Sequence, residues 1–428
     1  MDEQKDAVNG TPEFFAPFSA SRREMLAVPA MYVLAYLYLM NQDAGQWLAL
    51  FTLGLVALTE VLYRGTPRIR ECWVWLGCLA VILWSVVLPK YTISFADAVW
   101  DRDQAMLFLH IFAVYWILCR SGRLCGGESS RLLPLDGLNG FVLFPFGHFF
   151  LRLRTLFFGI RSLSPQKEKK GAAQITWSIL AILAALAFFF TAVDLLGKAD
   201  SGFADLTDRF LDLFRFEWDE DVVLRVFLSL PVGAYLFGLT VGAGREEPEK
   251  LRKRGNAALR LVGTLRRVPE TVWCVVLALF SALYAAFFAL QGSYLFGAFT
   301  RTLPEGFIVS QYAREGFFEL CKVMTVNFAL LWCVTRASAR PVQEHKPLLI
   351  LCASLLTESM VFAVIALSKL GLYIDCFGFT PLRLQSSWLV CVLFAGCVCA
   401  MVTLLTRKKT FRVWMIFGAV TLSLLHLY

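Results

Sequence analysis

Charge is scarce in this chain. Of 428 residues, 17% are charged and 58% are hydrophobic. A soluble domain carries about a quarter charged residues, so the shortfall excludes an ordinary globular enzyme and a disordered chain. Histidine is scarcer still, with four residues at His110, His148, His345 and His426. There is no C-x-x-C among the 12 cysteines, and the nearest thing to a ligand cluster is Cys397-x-Cys399. Most of these cysteines lie inside apolar runs, where the thiol behaves as a small apolar group. Neither a disulfide framework nor a zinc site is expected. The sequence also lacks a phosphate-binding P-loop, a zinc-protease helix motif, a nucleophile elbow and a dinucleotide fingerprint. No cofactor is implied, ATP-driven transport by this chain alone is not expected, and an enzyme is the less favoured class.

What the sequence has instead is long apolar runs, with a mean hydropathy of +0.61. Spanning a bilayer core takes about 20 apolar residues per helix. Eleven candidate spans lie near 25–41, 45–63, 72–89, 104–119, 173–196, 221–243, 270–291, 314–335, 347–370, 382–406 and 411–427. A transmembrane β-barrel would show short alternating segments instead. The expected fold is therefore all-α, a polytopic transmembrane helix bundle embedded in lipid.

The loop charges predict an orientation. With the N-terminus inside, the cytoplasmic segments 1–24, 64–71, 120–170, 244–267, 336–346 and 407–412 hold 30 of the 41 Lys and Arg residues. That asymmetry follows the positive-inside rule and puts the C-terminus outside. It also explains the net charge of +8 without nucleic-acid binding. The polar N-tail 1–24 is a poor cleaved signal, so the first apolar run is expected to stay as an anchor. A basic linker at 161–172 divides a four-span region (25–172) from a seven-span region (173–428).

Two stretches are neither spans nor simple loops. Residues 134–160 are broken by glycines, Pro145 and His148, which suits an interfacial or re-entrant segment, with a full extra span as the alternative. Arg152 and Arg154 follow, within reach of anionic lipid phosphates. Residues 203–216 carry Phe203, Leu206, Phe210, Leu213 and Phe214 at helical spacing, with Asp205, Asp208 and Asp212 opposite. They read as an amphipathic helix on the outer surface.

Candidate functional residues are the polar groups that apolar runs tolerate at a cost. Charge in hydrocarbon faces a partner or a cavity. Glu358 lies near the centre of the ninth span with no basic residue within a helical turn. Either a neighbouring helix supplies its partner or the carboxyl stays neutral. Asn327 in the eighth span is either its hydrogen-bond partner or a residue that ties helices together, and His110 lies mid-span in the fourth. Glu60, Asp194 and Arg225 sit nearer span ends. The eighth span opens with Tyr312, Arg314, Glu315, Glu319 and Lys322, of which Tyr312, Glu315, Glu319 and Lys322 share one helical face. The turn after the ninth span carries Tyr373, Asp375, Gly378, Thr380 and Arg383, with Thr380 before Pro381 as an N-cap. By this topology both elements are outside, where they would form a polar nest.

Three motifs in order carry a family resemblance. They are Ala289-Leu-Gln291-x-x-Tyr294-Leu-Phe-Gly297, Tyr312-Ala-Arg314-x-Gly316-Phe317-Phe318-Glu319-Leu, and Tyr373-Ile-Asp375-x-x-Gly378-x-Thr380-x-x-Arg383. Over about residues 270–405 the chain resembles a family of bacterial multi-pass membrane proteins catalogued only as a membrane domain of unknown function. The turn departs from the family's usual Tyr-Gly-Leu-Thr, reading Phe377-Gly378-Phe379-Thr380 here. The resemblance implies a bacterial cytoplasmic membrane and supplies no activity. The expected function is transport or binding of a small molecule or ion through the outer polar site. The alternative is a sensory or regulatory component, with a protein partner docked on the basic cytoplasmic loops. A membrane enzyme on a lipid-linked substrate ranks third.

Overall fold

The computed structural model describes residues 18–40, 45–87, 102–163, 185, 220–300 and 309–427, with the side chains of 45, 102–103, 160–163, 291–300 and 309–316 outside that description. In chain order the helices are α1 (Arg22–Leu39), α2 (Gly45–Leu62), α3 (Glu71–Val87), α4 (Arg102–Ser121), α5 (Leu133–Leu138), α6 (Phe144–Gly147), α7 (Leu151–Leu163), α8 (Glu220–Phe237), α9 (Pro248–Gly263), α10 (Glu270–Thr300), α11 (Val309–Ala337), α12 (Lys346–Phe377), α13 (Pro381–Thr406) and α14 (Phe411–Leu425). Among the described residues the only strand-like pairing is one bridge between Val268 and Ser338.

The chain divides into two compact units, residues 1–43 with 149–237, and residues 44–148 with 238–428. In the first, α1 packs on α7 and α8. Its start is fixed by a capping box: the Glu24 N–H donates to Ser21 Oγ at 3.2 Å, and the Ser21 N–H donates to Glu24 at 2.7 Å. The buried face of α1 is Ala27, Val28, Met31, Leu34 and Ala35, recurring at helical spacing. Close approach is made by glycine: a Cβ at Gly233 would lie 2.7 Å from the Tyr32 ring.

In the second unit α3 packs on α4 and α14, and α12 packs on α10, α11 and α13. The core of the latter group is apolar and fully enclosed, with Leu277, Met324, Val334, Cys352, Ile365, Ala366, Val390 and Cys397 at its centre. Residues 238–242 form one wide π turn that packs as a small-residue stripe. A Cβ at Gly238 would lie 2.5 Å from the Pro145 carbonyl oxygen. The Thr240 carbonyl there accepts the Tyr63 hydroxyl at 2.5 Å.

Ten of the eleven expected spans coincide with helices, and the expected span 173–196 lies outside the described residues, as does the amphipathic segment 203–216. The count of eleven spans is not supported, however. Among the described residues six helices are long and apolar enough to cross a membrane: Gln104–Ser121, Glu220–Arg245, Glu270–Leu290, Phe317–Ala337, Lys346–Phe377 and Pro381–Thr406. Gln46–Leu62, Glu71–Val87 and Phe411–Leu425 are apolar but shorter. At about 1.5 Å per residue, such helices fall short of a hydrocarbon core about 30 Å thick. The N-in, C-out orientation is likewise unsupported by the helices themselves. What stands is an all-helical protein with several membrane-length apolar helices. The segment 134–160 is not one continuous helix: α5, a π turn at Asn139–Leu143 and α6 lead to a break before α7.

Candidate functional site

The polar residues inside the α10–α12 bundle fall at two levels. α12 is a 32-residue helix started by Pro347 in its first turn and by the His345 ring, which accepts from the Leu348 N–H at 3.3 Å. It ends at Gly378, whose φ of +77° is the left-handed conformation that suits glycine. This length of uninterrupted helix carries Ser354, Glu358, Ser359 and Lys369 into the bundle. Asn327 of α11, 2% exposed, joins three helices: its side-chain oxygen accepts the Tyr284 hydroxyl of α10 at 2.6 Å, and its amide nitrogen donates to Ser359 Oγ of α12 at 2.9 Å. The Ser359 hydroxyl in turn donates to the Leu355 carbonyl at 2.8 Å. The chain of donors and acceptors is therefore complete at Asn327, as a buried amide requires.

Glu358 lies beside this network and is half-buried. Ser354 donates to one carboxylate oxygen at 3.1 Å, and Ser281 of α10 donates to the other at 3.4 Å. Its partners are thus two hydroxyls, one from its own helix and one from α10, and the carboxyl keeps part of its surface open. Of the two alternatives for Asn327, the structure shows the tie between helices and not the pairing with Glu358; the two residues take separate partners on the same helices. Eleven residues beyond Glu358, three helical turns and hence the same face, stands Lys369, which is fully buried. Glu319 on α11 is the carboxylate that acts on its charge. Between the two charged levels, Phe362, Ala363 and Ala366 are closed to solvent, and Phe362 takes Tyr284 edge-on at 5.1 Å. The bundle offers two polar levels separated by an apolar layer.

The expected outer nest is brought together only in part. Arg383 stacks on Tyr373, 4.1 Å from the ring centroid, and donates to the Phe377 carbonyl at 2.8 Å and to the Gly378 carbonyl. It closes the C-terminus of its neighbouring helix, where a cation opposes the helix dipole favourably. Thr380 does precede Pro381 at the start of α13, but its side chain makes no capping bond. Asp375 is exposed, and Glu319 and Lys322 are exposed on α11 and form no ion pair with each other. The side chains of Tyr312, Arg314 and Glu315 lie outside the description. His110 is half-buried and hydrogen-bonded to the backbone of Met106, one turn back, so it packs within its own helix.

A second polar centre was not foreseen. The Glu71 side chain at the start of α3 is buried and accepts from Trp75 Nε1 at 3.0 Å and from the Ser129 N–H at 3.2 Å. Arg412 of α14 lies 3.2 Å from it and also pairs with Glu128. Tyr115 completes the cluster by donating to Ser129 Oγ at 2.8 Å. Nearby, the Asp136 carboxylate accepts the Cys125 N–H at 2.7 Å, and burial, aided by Asp136, pushes the Cys125 thiol up to about 12. Every one of these contacts is local or charge-satisfying, which marks the cluster as structural. Among the described residues no group of three or more His, Cys, Asp and Glu side chains is arranged to hold a metal.

Residues 76–428 match a family model described as a domain of unknown function, DUF4153. That match is wider than the motifs at 270–405 and takes in α4 and the α5–α6 segment. No curated protein and no solved structure matches the chain.

Proposed function

The chain belongs to the DUF4153 family, and from that premise we propose that it is a bacterial multi-pass protein of the cytoplasmic membrane that binds and carries a small polar solute or ion along the α10–α12 bundle. The observation that carries this reading is Glu358, a half-buried carboxylate in a membrane-length apolar helix, held by hydroxyls from two helices and in no ion pair among the described residues. A carboxylate in hydrocarbon is costly and marks a pathway or site more often than a packing device. Packing alone is already served by the neutral Asn327 network. Lys369, on the same face beyond the apolar layer, supplies a second polar level nearer the end of α12 where Arg383, Tyr373 and Asp375 lie. The residues Tyr312, Arg314, Glu315, Glu319 and Lys322 would then line the approach.

The topology we propose with this function has the N-terminus inside and the C-terminus outside, which gathers the basic loops on one side. A cysteine introduced at 253 is expected to resist a membrane-impermeant maleimide applied from outside, and one at 301 to react; the reverse pattern would overturn the topology. The function itself is tested by whether Glu358→Gln strips a bound ligand from protein that still folds. A regulatory role is the second reading. It is favoured by α9, which exposes Arg252, Lys253, Arg254 and Arg260 together with Leu259 and Leu261, a surface suited to a protein partner. A co-purifying protein in place of a small ligand would select it.

A further inference from the structure

A cavity of about 600 Å³ opens where the chain turns from α2 into α3, lined by Glu60, Val61, Arg64, Thr66, Arg68 and Arg120. Its frame is built from a buried cation. Arg120, 2% exposed at the end of α4, donates to Glu60 at 3.0 Å, to the Tyr63 carbonyl at 2.6 Å and to the Thr66 carbonyl at 3.2 Å. One guanidinium thus ties the turn at three points, one bond from each of its nitrogens. Glu60 also receives Arg68 at 2.5 Å, so a single carboxylate faces two guanidiniums. Arg64 is exposed at the cavity wall and has no acidic partner among the described residues. Three arginines against one glutamate leave the lining strongly positive, with Arg64 and the outer edge of Arg68 available to an anion.

The surroundings identify the kind of anion. Trp73 is 58% exposed, and the Arg68 guanidinium lies 5.1 Å from its ring centroid. Val61 on the cavity wall is 52% exposed, and Leu53 two turns back along α2 is 60% exposed. An exposed indole beside a basic cluster, at the end of an apolar helix with bare leucine and valine, is the pattern of a membrane interface. A phosphate in the cavity would meet planar guanidinium forks, the geometry that suits phosphate best. We propose that this cavity is a head-group site for an anionic phospholipid, with the phosphate between Arg64 and Arg68 and the acyl chains along the exposed face of α2. The site is separate from the α10–α12 track and needs only that the protein lie in a bilayer.

The experiment is native mass spectrometry of the full chain from nanodiscs holding phosphatidylglycerol and phosphatidylcholine in equal amounts. Retained phosphatidylglycerol should exceed phosphatidylcholine and fall about fivefold in Arg64→Gln and roughly thirtyfold when Arg68→Gln is added, as expected for one and two lost surface cations. Arg120 stays in place, so the frame is kept, and Arg64→Gln alone touches no internal bond. Equal retention of phosphatidylglycerol by wild type and Arg64→Gln would overturn the site. Displacement of the lipid by millimolar inorganic phosphate, with the same arginine dependence, would overturn the lipid assignment and make the cavity a free-phosphate site.

Discussion

Asn327 is the residue whose loss should be felt most sharply, and the size of the effect follows from its two bonds. Asn327→Ala removes the acceptor of Tyr284 at 2.6 Å and the donor to Ser359 at 2.9 Å. Hydrogen bonds between membrane helices average about 0.6 kcal/mol and reach about 1.7, so two of them predict a loss of about 1–3 kcal/mol. Tyr284→Phe removes one of the same two bonds and should cost about 0.6–1.7 kcal/mol. The double variant then counts that bond once, so its cost should fall short of the sum of the singles by about the same amount, roughly 0.6–1.7 kcal/mol. The assay is reversible unfolding in mixed micelles titrated with SDS, followed by tryptophan fluorescence. Additivity of the two substitutions to within about 0.3 kcal/mol would refute the bridge. Unchanged stability of Asn327→Ala would refute the whole network.

Two further outcomes follow from the rest of the second unit. Arg412→Ala leaves the buried Glu71 carboxylate without its cation. Because Arg412 is itself 36% exposed, the loss should be about 1–3 kcal/mol in the same unfolding assay, less than the full cost of orphaning a buried pair. Adding Glu71→Gln should recover part of it, and no recovery would show that the pair is not what Arg412 contributes. Cys125 should resist N-ethylmaleimide at pH 8 while exposed Cys376 reacts, read by intact mass, because a thiol pushed up to about 12 is almost wholly protonated there. Its raised folded-state pKa also means that stability is full below the ordinary thiol range and is lost as pH rises through that range toward 12. Prompt labelling of Cys125 in folded protein would contradict its burial.

The helices were legible because apolar runs leave the chain little else to form: ten expected spans overlap observed helices, although those at 270–291 and 347–370 run on to Thr300 and Phe377. Their number as spans was less so, because apolar character does not fix helix length. α14, at 15 residues, reads as apolar as α13 but is shorter than a bilayer core. Glu358 and Asn327 stood out in the sequence as polar groups where hydrocarbon penalises them. Their actual partners, Ser281, Ser354, Tyr284 and Ser359, did not, since hydroxyl residues are common in membrane helices and gain meaning only when three helices meet. Lys369 was open to simple arithmetic: eleven residues after Glu358 is three turns, hence one face. Its place near the end of the apolar run hid it. Glu71 and Arg412 read as loop charges, and only the packing of α14 on α3 turns them into a buried pair.

The most direct test of the central claim is native mass spectrometry of the protein in lipid nanodiscs, comparing wild type with Glu358→Gln, each checked first for an unchanged unfolding transition. Wild type should retain a small polar molecule or ion that Glu358→Gln lacks. Identical spectra for the two, with no ligand on either, would contradict a binding and transport role and leave Glu358 as a hydrogen-bonding element of the bundle.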